Sequence, residues 1–189
     1  EFNFYLNKKG KIMKTINLNE QTRITDPCYN EDASFTAILP TLPGEYHVVG
    51  LNTFEDTTSD ARLLRSAVIY HQSLHKQSHL ADTLDMKEIE YGIGVDSGEC
   101  GVYQDDKYPA EGLKLKNLGS DKGYSRVPDG NWGITLNGFG GDICPRIYGH
   151  QNQDGVYDVI YFDFHFGDRK VDEERISELV SSIIKIDLN

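Results

Sequence analysis

The chain has 189 residues, 38% of them hydrophobic, and a mean hydropathy of -0.50. This is enough chain to bury one core without metal or disulfide staples, and no apolar run approaches the ~18 residues a membrane helix needs. Thirty acidic residues against 19 basic ones give a formal charge of -11, a surface that repels nucleic-acid phosphates and suits cations, basic proteins or plain solubility.

Glu1–Gly10 lacks the basic start and apolar run of a signal peptide, and Met13 offers an alternative start. Asn7-Lys8-Lys9-Gly10 predicts a hairpin between Phe2–Leu6 and Lys11–Ile16. Short strands are predicted at Phe35–Leu39, Glu45–Leu51 and Leu64–His71, with the Pro43-Gly44 turn ahead of the second. A helical turn is expected within Ser78–Met86. From Lys87 to Ser97 the alternation is clear: Ile89, Tyr91, Ile93 and Val95 fall on one face, and Gly92, Gly94 and Asp96 on the other. Ser97-Gly98 then turns the chain into Gly101–Tyr103.

Gln104–Asn131 is rich in Gly, Lys and Asp and reads as a long surface loop with at most a short strand. Trp132, Ile134 and Leu136 alternate with Gly133, Thr135 and Asn137. Asp154-Gly155 predicts a type I′ hairpin folding Ile147–Gln151 onto Val156–Phe166. After Asp172, a suitable N-cap, the spacing of Ile176, Leu179, Val180, Ile183 and Ile184 predicts a helix buried on one side. The fold expected is mainly β: a curved antiparallel sheet or β-sandwich with a C-terminal helix packed on one face. One domain is expected overall, with an N-terminal extension over 1–23, a core over 24–166 and the helix within 167–189.

Cys28, Cys100 and Cys144 form no C-x-x-C pair, and an odd count leaves at least one thiol free. No disulfide and a cytoplasmic setting are expected. His71, His75 and His79 are spaced as helical metal ligands would be. They follow a strand pattern, however, which scatters the rings, so no metal and no cofactor is expected. Asp96-Ser97-Gly98 matches a serine-hydrolase loop over three residues only, and the same residues are ordinary turn formers. Gly92 and Gly94 fit either close packing or a shelf for a small ligand. Asp26-Pro27-Cys28 fits an Asx turn, or a thiol beside a carboxylate. Gly138–Asp142 lacks the lysine and following helix of a phosphate loop.

Four segments occur in order: Ile24-Thr25-Asp26-Pro27-Cys28-Tyr29, Pro43-Gly44, Val95-Asp96-Ser97-Gly98, and Gly138–Asp142 before the Asp154-Gly155 hairpin. This order resembles a β-rich domain family of unknown function found in bacteria and their phages. The resemblance spans Ile24–Phe164, and Ile143 replaces the last glycine of the family's "GDG" segment. It implies a fold and boundaries, carries no mechanism, and marks Asp26, Cys28, Asp96 and Asp142 as positions to test. The expected function is a soluble binding or interaction domain, with a protein or small molecule as partner and neither nucleic acid nor membrane. The alternative is a small hydrolase or transferase using Cys28 or Ser97 with Asp26 and Asp96. Asp142, Gly92 and Gly94 join Asp96 as candidate ligand-binding residues.

Overall fold

A computed structural model describes residues 14–52, 64–75, 84–89, 92–113, 125–137, 142–164 and 172–186. The expected N-terminal hairpin and the expected helical turn fall mostly outside these residues, as do His79, Tyr91, His165 and Phe166.

Two antiparallel sheets carry the fold. Strands β1 (Lys14–Leu18), β4 (Gly44–Asn52), β5 (Leu64–His71), β6 (Lys87–Glu88), β10 (Arg146–Gln151) and β11 (Tyr157–Asp163) make a large sheet ordered β1-β4-β5-β11-β10-β6. Strands β2 (Gln21–Thr25), β3 (Ala37–Pro40), β7 (Glu99–Gln104), β8 (Ser125–Arg126) and β9 (Gly133–Asn137) make a small sheet ordered β3-β2-β7-β9-β8. β1 and β2 thus supply one strand to each sheet, and the boundary expected after residue 23 falls inside β2.

The sheets pack face to face as a sandwich. Ile16, Tyr46, Val48, Ile69, Ile160 and Phe162 of the large sheet share one core with Ile24, Leu39, Cys100, Val102, Ile134 and Leu136 of the small one. The outer face of the large sheet is buried too, under α2 (Glu173–Ile186). Ile176, Val180, Ile183 and Ile184 pack there with Val68, Tyr70, Tyr148, Val159 and Tyr161. This is why β11 is apolar on both faces: it lies between two layers. The helix starts where expected, with the Asp172 carboxylate accepting the Glu174 N–H at 3.2 Å.

On the outer face of the small sheet, Tyr103 lies along its own strand over Gly101, and its hydroxyl shares a hydrogen bond with Thr135. Gly133 backs onto the same ring. A β-carbon there would stand 2.6 Å from the Val102 carbonyl oxygen and 2.9 Å from the Tyr103 Cα. Because backbone cannot yield as a side chain can, Gly133→Ala should destabilise the domain by about 2 kcal/mol, read by urea unfolding. A parent-like midpoint would show that the strands separate freely at this point.

Three expectations need correction. Among the described residues of the expected Lys87–Ser97 strand, only Lys87–Glu88 pair in a ladder; after them, Val95 makes an isolated bridge to Ile143. Ile89, Ile93 and Val95 are buried as their alternation requires, but the chain here is crossing from one sheet to the other. Part of the expected surface loop is docked: Tyr108 and Leu113 pack with Tyr103 and Trp132. The hairpin at Asp154-Gly155 exists, but only Gly155 has positive φ, +75°, whereas a type I′ turn needs both central residues there. The loop instead runs from Asn152 to Val156, whose carbonyl accepts the Asn152 N–H at 2.9 Å, and the Asn152 side chain takes the Asp154 N–H.

The histidine run divides between elements. His71 ends β5, as the expected Leu64–His71 strand requires, while His75 ends a short helix, α1 (Gln72–His75), where a loop was expected. The His71 Nδ1 accepts the Ser73 N–H at 3.1 Å, so its proton sits on Nε2 and is donated to the Pro43 carbonyl at 3.2 Å. Burial lowers its pKa, consistent with a neutral ring that joins the Pro43-Gly44 turn to the start of α1. Among the described residues no three side chains are grouped to hold a metal ion, and no helix is long and apolar enough to cross a membrane.

Candidate functional site

At the end of β2 the chain leaves the sheet through Asp26 and bends at Pro27. The Asp26 side chain has no exposed surface. Its Oδ1 accepts the Cys28 N–H at 2.8 Å, closing the Asx turn that the local sequence predicts. The same oxygen accepts the Ser97 hydroxyl at 2.8 Å. Oδ2 accepts the backbone N–H groups of Asp96 at 2.9 Å and Ser97 at 2.8 Å. A buried carboxylate is costly unless its lone pairs are filled, and here four donors fill them. Asp26 is therefore a staple that fastens two loops about 70 residues apart.

The turn is clamped from its other side as well. The Tyr108 hydroxyl points at the carbonyls of Pro27 and Tyr29, at 3.1 and 2.8 Å, and the Leu113 N–H donates to Pro27 at 2.7 Å. Arg23 holds the incoming segment. Its Nε donates to Asp105 at 2.8 Å, and its guanidinium lies 5.0 Å from the centre of the Tyr108 ring. Tyr108 was not anticipated as part of this corner; nothing in the local sequence links it to Asp26.

Cys28, Asp96 and Ser97 thus come together around Asp26. Asp96 is exposed, and its Oδ2 accepts the Tyr29 hydroxyl at 2.7 Å. That bond pushes the Tyr29 pKa upward, and the charges of Asp26 and Asp142 add to the effect, which places Asp142 near the same corner. Partial burial, then the charge of Asp26, raises the Cys28 thiol above its ordinary pKa, with Glu99 adding and Ser97 opposing. The four described histidines lie on or beside the large sheet: His47 on β4, His71 on β5, His75 on α1 and His150 on β10. Of these, His150 is paired with Asp158, at 2.6 Å.

The two glycines behave differently. Gly94 lies under the Phe35 ring, whose nearest atom would stand 3.4 Å from an added β-carbon. Among the described residues nothing lies within 4 Å of the corresponding position at Gly92. Phe35 is itself 57% exposed, and Ile38, at the edge of the small sheet, 41%. These are the large apolar side chains that stand out to solvent among the described residues. Only their exposure reveals them, since Phe35 reads in sequence as the first apolar residue of a strand.

The class defined is thus an antiparallel β-sandwich with one helix-covered face and a stapled loop corner. No family model matches this chain, and no curated protein or solved structure matches it significantly.

Proposed function

We propose that the chain is a non-enzymatic binding domain whose recognition surface is the corner built by Asp26, acting in the cytoplasm of a bacterium or of a phage-infected cell. The observation that carries this reading is the use to which the motif residues are put. The Asp26 oxygens are filled by four donors, so the carboxylate is not free to take a proton from a nucleophile. The Ser97 hydroxyl donates its hydrogen bond to Asp26 rather than to a histidine. Cys28 is held toward the neutral thiol, the opposite of what a nucleophile needs. Three of the four segments that resemble the bacterial and phage family converge here: Asp26 meets Ser97, and Ile143, next to Asp142, bridges Val95. The odd number of cysteines supports the compartment.

The second reading, a small hydrolase or transferase, is favoured by one fact: Cys28, Ser97 and a carboxylate do adjoin. Thiol titration separates the two. In a Cys144→Ser variant, Cys28 is the remaining exposed thiol and Cys100 is buried. Its rate of alkylation by iodoacetamide against pH should have a midpoint above the ~8.5 of a free cysteine. A midpoint near or below ~7 would mark an activated nucleophile and overturn the binding-domain reading.

A further inference from the structure

We propose that this corner docks a cationic segment of a partner protein, with lysine or arginine stems against Phe35 and their heads toward Asp96 and the acidic loop beside it. The inference rests on the binding-domain reading and adds the chemistry of the partner.

Charge complementarity carries it. The three segments that meet at the corner, residues 24–36, 92–99 and 142–145, contain Asp26, Glu31, Asp32, Asp96, Glu99 and Asp142 and not one lysine or arginine. Asp26 and Glu99 are buried, while Glu31, Asp32, Asp96 and Asp142 are exposed. Two positive charges flank these segments: Arg23 is turned inward onto Asp105 and the Glu31 carbonyl, and Arg146 is engaged with Tyr148, which packs on the α2 side of the large sheet. The surface therefore offers uncompensated negative charge to a partner, which steers and orients a cationic one.

The exposed apolar groups decide what kind of cation fits. Phe35 stands out to solvent seated on Gly94, two residues before Asp96 in the chain, while Ile38 continues the same segment along the sheet edge. A lysine or arginine buries its alkyl stem on such side chains and keeps its head at a carboxylate, and arginine also stacks on a phenyl face. A bare metal ion gains nothing from a phenyl ring, and no three ligating groups converge among the described residues. A second copy of this chain would bring like charge against like charge on this face. The Asp26 staple gives the surface its rigidity: both loops that carry Phe35 and Asp96 are tied to one buried carboxylate, so little ordering cost falls on binding.

The probe is a short synthetic peptide alternating arginine with leucine, with its glutamate counterpart as control, titrated at low salt and followed by amide NMR shifts. Saturable shifts should centre on Tyr29–Ile38 and Gly94–Gly98 with the arginine peptide alone. Phe35→Ser and Asp96→Asn should each weaken binding about tenfold, while Asp154→Asn, an exposed carboxylate on the Asn152–Val156 loop, should leave it unchanged. Both corner side chains are exposed, so thermal melts of the variants should match the parent. Shifts spread evenly over the acidic surface, equal binding by Phe35→Ser, shifts at the corner with calcium chloride alone, or dimerisation through this face would each overturn the proposal. If thiol titration finds Cys28 activated while the peptide still docks here, the non-catalytic reading falls and the docking surface stands. If Cys28 is inert and the peptide does not localise, the docking surface alone falls.

Discussion

Asp26→Asn should lower the stability of the domain by about 3 kcal/mol. The substitution is nearly isosteric, so the cost is chemical. One acceptor oxygen becomes an NH2 group facing N–H or O–H donors that have no other partner in the corner, and the charge that strengthened the remaining bonds is lost. Hydrogen bonds to charged groups contribute roughly 1.5–3 kcal/mol each, and a buried donor left unpaired costs about 1–3 kcal/mol. Turned one way, the amide NH2 faces the Asp96 and Ser97 N–H groups and both bonds are lost; turned the other way, the Cys28 bond is lost and the Ser97 hydroxyl must reverse to accept. For a chain of this size the loss corresponds to a fall in Tm of roughly 6–12 °C by calorimetry. The Asx turn alone, legible in the sequence, implies a smaller effect of about 0.5–2 kcal/mol, because it counts only the bond to Cys28.

Val180→Asp should be the most damaging single substitution in the helix. Val180 has no exposed surface and packs under α2 against the outer face of the large sheet. A carboxylate placed there meets apolar side chains, and the loss should exceed about 4 kcal/mol, enough to unfold a domain of ordinary stability. The stripe predicts the helix but does not rank its members. Leu179, a natural choice from the periodicity, is only partly buried, so Leu179→Asp should cost distinctly less. Urea unfolding followed by far-UV circular dichroism checks both. Equal midpoints for the two variants would mean that the helix docks by a different face.

Period-two and helical spacing marked elements where burial follows a repeating face. Leu64–His71 was legible to the residue; the α2 stripe was legible in four of its five members, and the strands of the last hairpin in their place but not their bounds, being Arg146–Gln151 and Tyr157–Asp163. The same rule overextended the Lys87–Ser97 strand. Alternating burial is satisfied by Ile89, Ile93 and Val95 without a ladder, because the chain passes between two sheets that share one core. The docked segment around Tyr108 was missed since two isolated apolar residues in a polar loop set up no period. In the site, each half of the corner was visible as a turn former, Asp26 before Pro27 and Asp96 before Ser97-Gly98. Their junction was not, because a contact across 71 residues depends on how β2 and β7 pair, and neither turn encodes that register.

The central claim is that Asp26 and Ser97 are joined to hold a surface in place. A double-mutant cycle with Asp26→Asn, Ser97→Ala and the pair, read by equilibrium unfolding, tests it most directly. The account predicts that each single variant is less stable than the parent and that the two couple by about 1–2 kcal/mol, since Ser97→Ala removes the 2.8 Å bond between the Asp26 and Ser97 side chains and Asp26→Asn takes away the charge that strengthens it. Single variants as stable as the parent or more so, with no coupling between them, would contradict it, for that is how residues behave when they are kept for chemistry at the expense of the fold.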